Sequence, residues 1–391
     1  MESWKEVQGM LHIAVDTIVT RPPFVYRGMF EYTKEMVEHF RLLAQECDVD
    51  VRTYVGSGFS PEIAGIPETE NYHTEHCSLM DHLRLWRFGG GARLVKREGN
   101  DVLFATNAET ISIPGVPYVV FIHDVDFMRF RQYGALYTAR LYAMQWLASH
   151  SAKLVLTNSE CSKRDIVKYL RVSPEKVVVT YLGYNRSVYN QAPAGEEQAA
   201  LAQRFSLQRR YILHHGTFQP RKNLLRLVRA YDRLAAEDSA FDYDLVLAGN
   251  YGWNCEDVLQ ACRDVKVPGR VVVTGFLEEK DLAALVKGAY LSVIPSLWEG
   301  FCFPMVESMA CGVPTIAANS SCLPEISGGV LHYFNAESVE EIAASIKLGI
   351  EDNGLREQLC RDGLRSAAQF SWERCARETL TAIKRVTAET H

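Results

Sequence analysis

Two carboxylates eight residues apart, Glu299 and Glu307, stand in the segment Pro295-Ser-Leu-Trp-Glu-Gly-Phe-Cys-Phe-Pro-Met-Val-Glu307. A strand ends at Pro295, and a loop of Gly300, Phe301, Cys302 and Phe303 follows. Pro304 then sits where a helix can begin, because its missing N–H costs nothing in a first turn. Such a loop points backbone amides at an anion, and a helix N-terminus adds roughly half a positive charge. A phosphate held there needs no metal. Carboxylates on either side suit sugar and ribose hydroxyls, since each oxygen accepts hydrogen bonds. The spacing alone also allows a plainer account, in which Glu307 compensates a helix dipole and Glu299 is a solvated loop charge.

A second constellation is His215-Gly-Thr-Phe-Gln-Pro-Arg-Lys-Asn-Leu-Leu-Arg-Leu-Val-Arg-Ala-Tyr231. It reads as a strand end, a turn and a helix with apolar positions at Leu224, Leu227, Val228 and Tyr231. Arg221 and Lys222 fall at the helix start, where the dipole opposes cations by roughly 0.3 to 1 kcal/mol each. An anionic neighbour reverses that penalty. In Val116-Pro-Tyr-Val-Val-Phe-Ile-His-Asp-Val-Asp126 a continuous apolar run fits a buried parallel strand. His123 then lies just beyond its carboxyl end, where open α/β sheets bind ligands, although a strand-end histidine is also an ordinary structural residue. Asp48-Val-Asp50 and Asp124-Val-Asp126 both match Asp-x-Asp, a weak pattern for a hard divalent cation.

The elements that must position these residues follow from pattern. Short β-branched apolar runs alternate with longer helical periods, the form of βα units around a parallel sheet. Strands are expected near Leu11 to Val15, Val51 to Val55, Val102 to Ala105, Tyr118 to Ile122, Leu154 to Thr157 and Val177 to Tyr181. A second series falls near Tyr211 to His214, Asp244 to Ala248, Val271 to Thr274, Leu291 to Ile294 and Thr315 to Ala317. The polar stretch from Asn190 to Gln203 separates the series, giving domains at 1–190 and 204–370, with a terminal helix within 371–391 packing back on the first. A chain of 391 residues exceeds the ~250 to 300 at which one core stops growing. The fold class is α/β.

Composition narrows the function. With 47% hydrophobic and 23% charged residues and a net charge of -6, the chain is an ordinary globular protein without the basic surface that nucleic acid requires. No apolar run reaches the ~18 residues of a membrane span, and the N-terminus has no signal core, which makes the cytoplasm the default location. Ten cysteines show no zinc or disulfide spacing. Neither a dinucleotide Gly-x-Gly-x-x-Gly with its acid nor a P-loop occurs, which speaks against dehydrogenases and P-loop enzymes. The stretches His82 to Arg97 and Arg129 to Lys153 mix Arg, Trp, Tyr and Leu. Two readings stay open for them: a peripheral contact with anionic lipid, at the inner face of the membrane, and an ordinary solvated helix face.

Glu299-x7-Glu307 within Pro-Ser-Leu-Trp-Glu-Gly-Phe, followed by Met-Ala-Cys-Gly-Val-Pro, resembles the signature of retaining glycosyltransferase family four, which has the GT-B fold. The resemblance is strong over Val119 to Gly183 and Gly216 to Ile346 and weak before Val102. It implies two Rossmann-like βαβ domains facing across a cleft, with a nucleotide-diphosphate sugar as donor and no metal or other cofactor. Arg221 and Lys222 match the pair that neutralises the donor diphosphate in relatives, and His123 matches a His-Asp pair lining the donor-sugar site. Glu299 would orient sugar hydroxyls and Glu307 would hold the ribose. Gly28 corresponds to a small residue whose amide nears the phosphate, and Phe276 lies in the segment whose main chain reads the base. Two departures are visible. Cys302 replaces a second glycine of the loop, and Thr217 replaces an arginine after the strand-end glycine, so the phosphate field is weaker there.

The resemblance further implies retention by front-face attack, and transfer of a hexose to a glycan or lipid-linked acceptor in cell-surface polysaccharide or glycoconjugate synthesis. Mannose from GDP-mannose is the expected donor. A UDP-sugar donor, a nucleotide-sugar epimerase, a phosphorylase with a pyridoxal lysine and a sugar-nucleotide-binding protein without activity are the alternatives.

Overall fold

Five strands have every residue buried: Val102–Ala105 (β4), Tyr118–Phe121 (β5), Leu154–Thr157 (β6), Leu291–Ile294 (β11) and Thr315–Ala318 (β12). Their continuous apolar runs reflect sheets covered by helices on both faces. The computed structural model describes residues 9–18, 27–56, 61–82, 86–108, 110, 116–130, 134–238, 240–266 and 270–388. The chain divides into two compact units, one of Met1–Gly183 with Ser371–His391 and one of Tyr184–Phe370. The polar 190–203 stretch is largely a helix, Gly195–Arg204, inside the second unit.

In the first unit Leu11–Asp16 (β1), Val49–Val55 (β2), Tyr72–His76 (β3) and Val177–Val179 (β7) complete a seven-stranded parallel sheet of order β3-β2-β1-β4-β5-β6-β7. The Trp372–Ala388 helix belongs to this unit and buries Trp372, Cys375, Ala376, Thr379, Leu380 and Ile383, a helical-period stripe. It packs on the Arg27–Glu46 helix: the Tyr32 and Trp372 ring centroids lie 6.2 Å apart, and Arg377 Nη2 is 2.6 Å from Glu46 Oε2.

In the second unit Arg210–His215 (β8), Tyr243–Ala248 (β9), Val271–Gly275 (β10) and His332–Phe334 (β13) join β11 and β12 in a six-stranded parallel sheet of order β10-β9-β8-β11-β12-β13. The Leu224–Glu237 helix buries Leu224, Leu227, Val228 and Tyr231, the face its period predicts. Each sheet runs outward in both directions from its first strand. The carboxyl ends of β1 and β4 in one unit, and of β8 and β11 in the other, are therefore the topological switch points where such sheets open a crevice.

The eleven expected strands are all present, with ends within a few residues. β3 and β13, both edge strands, escape the sequence pattern, whereas the other two edge strands, β7 and β10, carry valine runs that reveal them. β3 reads Tyr-His-Thr-Glu-His and buries Tyr72 alone, and β13 is three residues long. An edge strand has one partner and one open side, so it does not need the apolar run that marks a central one.

Candidate functional site

At the β8/β11 switch point, the turn after β8 and the loop after β11 are stitched together. The Leu297 amide donates to the Arg221 carbonyl at 2.8 Å, Arg221 Nη1 to the Trp298 carbonyl at 3.1 Å, and Asn223 Nδ2 to the Pro295 carbonyl at 3.0 Å. Pro220, Arg221 and Lys222 form a single 3₁₀ turn, closed by Asn223 at φ 61°, ahead of the Leu224–Glu237 helix. The two cations thus precede the helix start where the sequence places them, and their anionic neighbour is part of the protein. Arg221 Nη1 lies 2.6 Å from Glu299 Oε2, and Lys222 Nζ lies 2.5 Å from Glu299 Oε1.

Glu299 is therefore a buried carboxylate with a cation on each oxygen. Ser296 Oγ also donates to Oε1 at 2.7 Å, and the Glu299 amide donates to Ser321 Oγ at 2.9 Å. Burial pushes the Glu299 carboxyl up, but the charges of Lys222 and Arg221 and the hydrogen bonds from Lys222 and Ser296 outweigh it and hold the pKa at about 2. It is ionised at any physiological pH. A solvated loop charge, the plainer account of this residue, does not describe a side chain 4% exposed.

The loop then turns into the Phe303–Ala310 helix, with Pro304 as its second residue and Cys302 as its cap at φ 71°, ψ 70°. That left-handed conformation favours glycine, so the departure at Cys302 keeps the shape of a glycine loop at a cost of about 1 to 2 kcal/mol. Burial first, and then the nearby Glu299 charge, push its thiol up to about 12, which leaves it a neutral small apolar group. Gly300 is buried, and Phe301 packs between Phe303 and Phe370 at centroid distances of 5.4 and 5.3 Å. Phe301 is thus a core residue that anchors the loop, and its ring offers no surface to a ligand.

Glu307 is the fifth residue of the helix, past the first turn where dipole compensation acts. One of its oxygens meets the last residue of β8: His215 Nε2 lies 2.8 Å from Glu307 Oε2. Gly216 follows at φ 138° and Thr217 is partly exposed. Across from them a Cβ on Gly249, at φ 146°, would fall 2.1 Å from the Gly216 carbonyl oxygen, so the ends of β8 and β9 approach as only glycine permits. Beyond β10, Phe276 is 52% exposed, which rules out a core role, and Tyr251 beyond β9 is 59% exposed. One unit thereby gathers Thr217, Arg221, Lys222, Glu299, Gly300 to Phe303, Glu307 and Phe276.

The remaining candidates lie in the other unit. Gly28 is the second residue of the Arg27–Glu46 helix, while the Pro-Pro loop before it falls outside the described residues. His123 follows β5, edge-on to Tyr32 at 5.1 Å and Phe121 at 4.7 Å, and its Nε2 is buried without a hydrogen-bond partner. Burial lowers its pKa to about 4 against a hydrogen bond with the Thr106 backbone, so it is a neutral imidazole at pH 7. Asp50 is engaged by His12 Nδ1 at 2.9 Å and Arg52 Nε at 3.4 Å, a structural cluster on the sheet. The Asp126 amide donates to Asp124 Oδ1 at 3.3 Å, a local turn. Among the described residues no group of three or more His, Cys, Asp or Glu is arranged to hold a metal ion, and no helix is long and apolar enough to cross a membrane.

Sequence reasoning did not single out His215, Ser296 or Ser321. His215 adjoins Gly216 in the quoted motif, and its signal was a pair of histidines, His214 and His215, at the buried carboxyl end of a strand. The serines carry no spacing signal, because their role depends on two loops that meet only in the fold.

The family model described as Glycosyltransferase Family 4 matches residues 26–188, and that described as Glycosyl transferases group 1 matches 197–364. The chain is similar to the O-antigen chain mannosyltransferase B of Escherichia coli, 34% identical over 60% of this chain and 61% of that one. It is also similar to the serotype-specific mannosyltransferase WbdA of Escherichia coli, 29% identical over 72% of this chain. The matches span 61% of the first relative and 35% of the second. An uncharacterized glycosyltransferase of Methanocaldococcus jannaschii is 27% identical over 93% of this chain and 95% of its own. Among solved structures, Anabaena HepE in complex with UDP-glucose superposes with a TM-score of 0.73 at 17% identity, over 96% of this chain and 100% of that one. The sucrose-phosphate synthase of Thermosynechococcus elongatus does so with 0.73 at 16%, over 97% and 100%.

Proposed function

We infer that this chain, which belongs to glycosyltransferase family four and has the GT-B fold, is a retaining, metal-independent mannosyltransferase. Its donor is a nucleotide-diphosphate sugar, GDP-mannose before UDP-sugars, and its acceptor a glycan or lipid-linked sugar of cell-surface polysaccharide. The observation that carries the reading is the pairing of Arg221 and Lys222 on Glu299 beside the start of the Phe303–Ala310 helix. Two cations and a helix N-terminus converge on one switch point, which is the electrostatics a diphosphate requires. Mannosyltransferases among the relatives support the sugar, and the UDP-glucose bound to Anabaena HepE supports the donor class.

As the glycosidic bond breaks, negative charge grows on the phosphate and positive charge on the sugar ring. Preorganised cations and amides aimed at the phosphate stabilise that state more than the ground state, so Arg221, Lys222 and the amides of Gly300 to Phe303 take the role a metal plays elsewhere. Glu299 holds both cations at a fixed spacing before the donor arrives and faces the transferred sugar. Glu307 holds the ribose, and Phe276 and Thr217 border the nucleotide. Retention proceeds by front-face attack.

A membrane-proximal acceptor is consistent with the Ala135–Ser151 helix, which exposes Leu136 at 87% and Tyr137, Trp146 and Leu147 in part, and has no acidic residue. An aromatic outer face of this kind, with Arg140 exposed on it, suits the surface of an anionic bilayer. The test of the function is nucleoside diphosphate release from GDP-mannose, GDP-fucose, UDP-glucose and UDP-galactose. Release from GDP-mannose above the others supports the assignment, and preference for a UDP-sugar replaces the donor.

A further inference from the structure

His215 and Glu307 form a polar pair that packing alone does not call for. His215 is the last residue of β8 with a side chain 2% exposed, and Glu307 is 14% exposed on the neighbouring helix. The two preceding apolar residues of the strand, Ile212 and Leu213, are fully buried. An aliphatic residue at 215 would pack the same face without withdrawing an imidazole and a carboxylate from water, a cost that a buried pair regains only with good geometry. The contact itself is short: Nε2 to Oε2 is 2.8 Å, and the other ring nitrogen, Nδ1, is buried with no hydrogen-bond partner.

Because the carboxylate oxygen accepts, Nε2 carries the proton. The pair therefore has one direction, from the imidazole to Oε2, and leaves Oε1 of Glu307 outside that bond. A carboxylate on a side chain with three rotatable bonds is otherwise free to turn, and a single buried donor fixes which oxygen is presented and where. The position is the switch-point edge of the sheet, one residue before Gly216. We propose that His215 is a positioning residue which locks Glu307 so that its second oxygen discriminates the ribose hydroxyls of the donor nucleotide. The proposal rests on the reading that Glu307 holds the ribose.

The experiment compares equilibrium binding of GDP and UDP with their 2′,3′-dideoxy counterparts, by calorimetry, to the full chain and four variants. The readout is the affinity ratio of ribo- to dideoxynucleotide, which a merely structural role would leave unchanged. Wild type should favour the ribonucleotide by about tenfold, the scale of hydrogen bonds to a charged group. Glu307→Ala should bring the ratio close to one. His215→Leu should lower it at least about threefold, since the carboxylate loses its pin. His215→Gln, whose amide nitrogen reaches the place of Nε2, should keep the ratio. His215→Asn, whose amide reaches only as far as Nδ1, should lose it, and this pair of polar variants decides the matter if the leucine variant fails to fold. A ratio unchanged by Glu307→Ala overturns the ribose reading beneath the proposal. A ratio abolished by Glu307→Ala but intact in His215→Leu or His215→Asn overturns the proposal alone.

Discussion

Lys222 Nζ lies 2.5 Å from Glu299 Oε1 in a site where both side chains are buried, so the cation assigned to the donor phosphate is already compensated by a carboxylate of the same unit. Removing the carboxylate strands one buried cation, Lys222, and the partly buried Arg221. Glu299→Ala is expected to destabilise the fold by about 3 to 5 kcal/mol, whereas Lys222→Ala, which leaves Glu299 paired with Arg221, costs less. Urea unfolding of the two variants checks the order. The same pairing separates their kinetics. Glu299→Ala should lower kcat more than it raises KM, and Glu307→Ala should chiefly weaken donor binding. Unchanged steady-state kinetics in both would remove them from the site.

Stability should fall with acid in two overlapping windows. Burial lowers the pKa of His214 to about 3 and that of His123 to about 4, so the unfolded chain binds these protons first. The stability they contribute is complete above the ordinary histidine value near 6.5 and is lost as pH falls toward 3. Glu299, held at about 2, adds stability that is present above the ordinary carboxylate range and lost below it. His214→Leu should flatten the dependence of unfolding free energy between pH 6 and 4 by up to about 1.4 kcal/mol per pH unit. Denaturant midpoints measured across that range report the slope, and an unaltered slope contradicts a neutral buried His214.

Cys302 is left-handed and 5% exposed. Cys302→Gly relieves the backbone while giving up one small buried group, so the unfolding midpoint and activity should stay near wild type. Cys302→Val places a β-branched side chain at the same φ and should cost about 2 kcal/mol or more. Equal stability of the two variants would mean that the loop does not need the left-handed turn.

The central strands, the Arg221-Lys222 turn and the loop before Pro304 were legible because each depends on local pattern: apolar runs, a proline at a helix start, charges against a dipole. The pairing of Arg221 and Lys222 with Glu299 was not, since it joins residues 77 and 78 positions apart across two parallel strands. The same holds for Ser321 on the Glu299 amide and for His215 on Glu307. Phe301 enters the core, whereas Phe276 faces solvent. Aromatic residues in loops do either, and only the packing of Phe370 against Phe301 decides.

The Ala135–Ser151 helix supplies a prediction independent of the catalytic unit. Co-sedimentation with vesicles containing phosphatidylglycerol should be strong for wild type and reduced severalfold by Leu136→Asp together with Leu147→Asp, with an unchanged melting temperature because both side chains are exposed. Equal binding of wild type and variant would make this helix an ordinary solvated face.

The claim that protein charge stands in for a metal is tested most directly by initial rates of sugar transfer from the preferred donor in excess EDTA, for wild type and for Lys222→Ala. The account predicts full wild-type activity in chelator and a loss of roughly 100-fold or more in kcat/KM for Lys222→Ala, the scale of removing one charge-stabilising donor. Activity that vanishes in EDTA and returns with magnesium or manganese, beside a nearly normal Lys222→Ala, would contradict it.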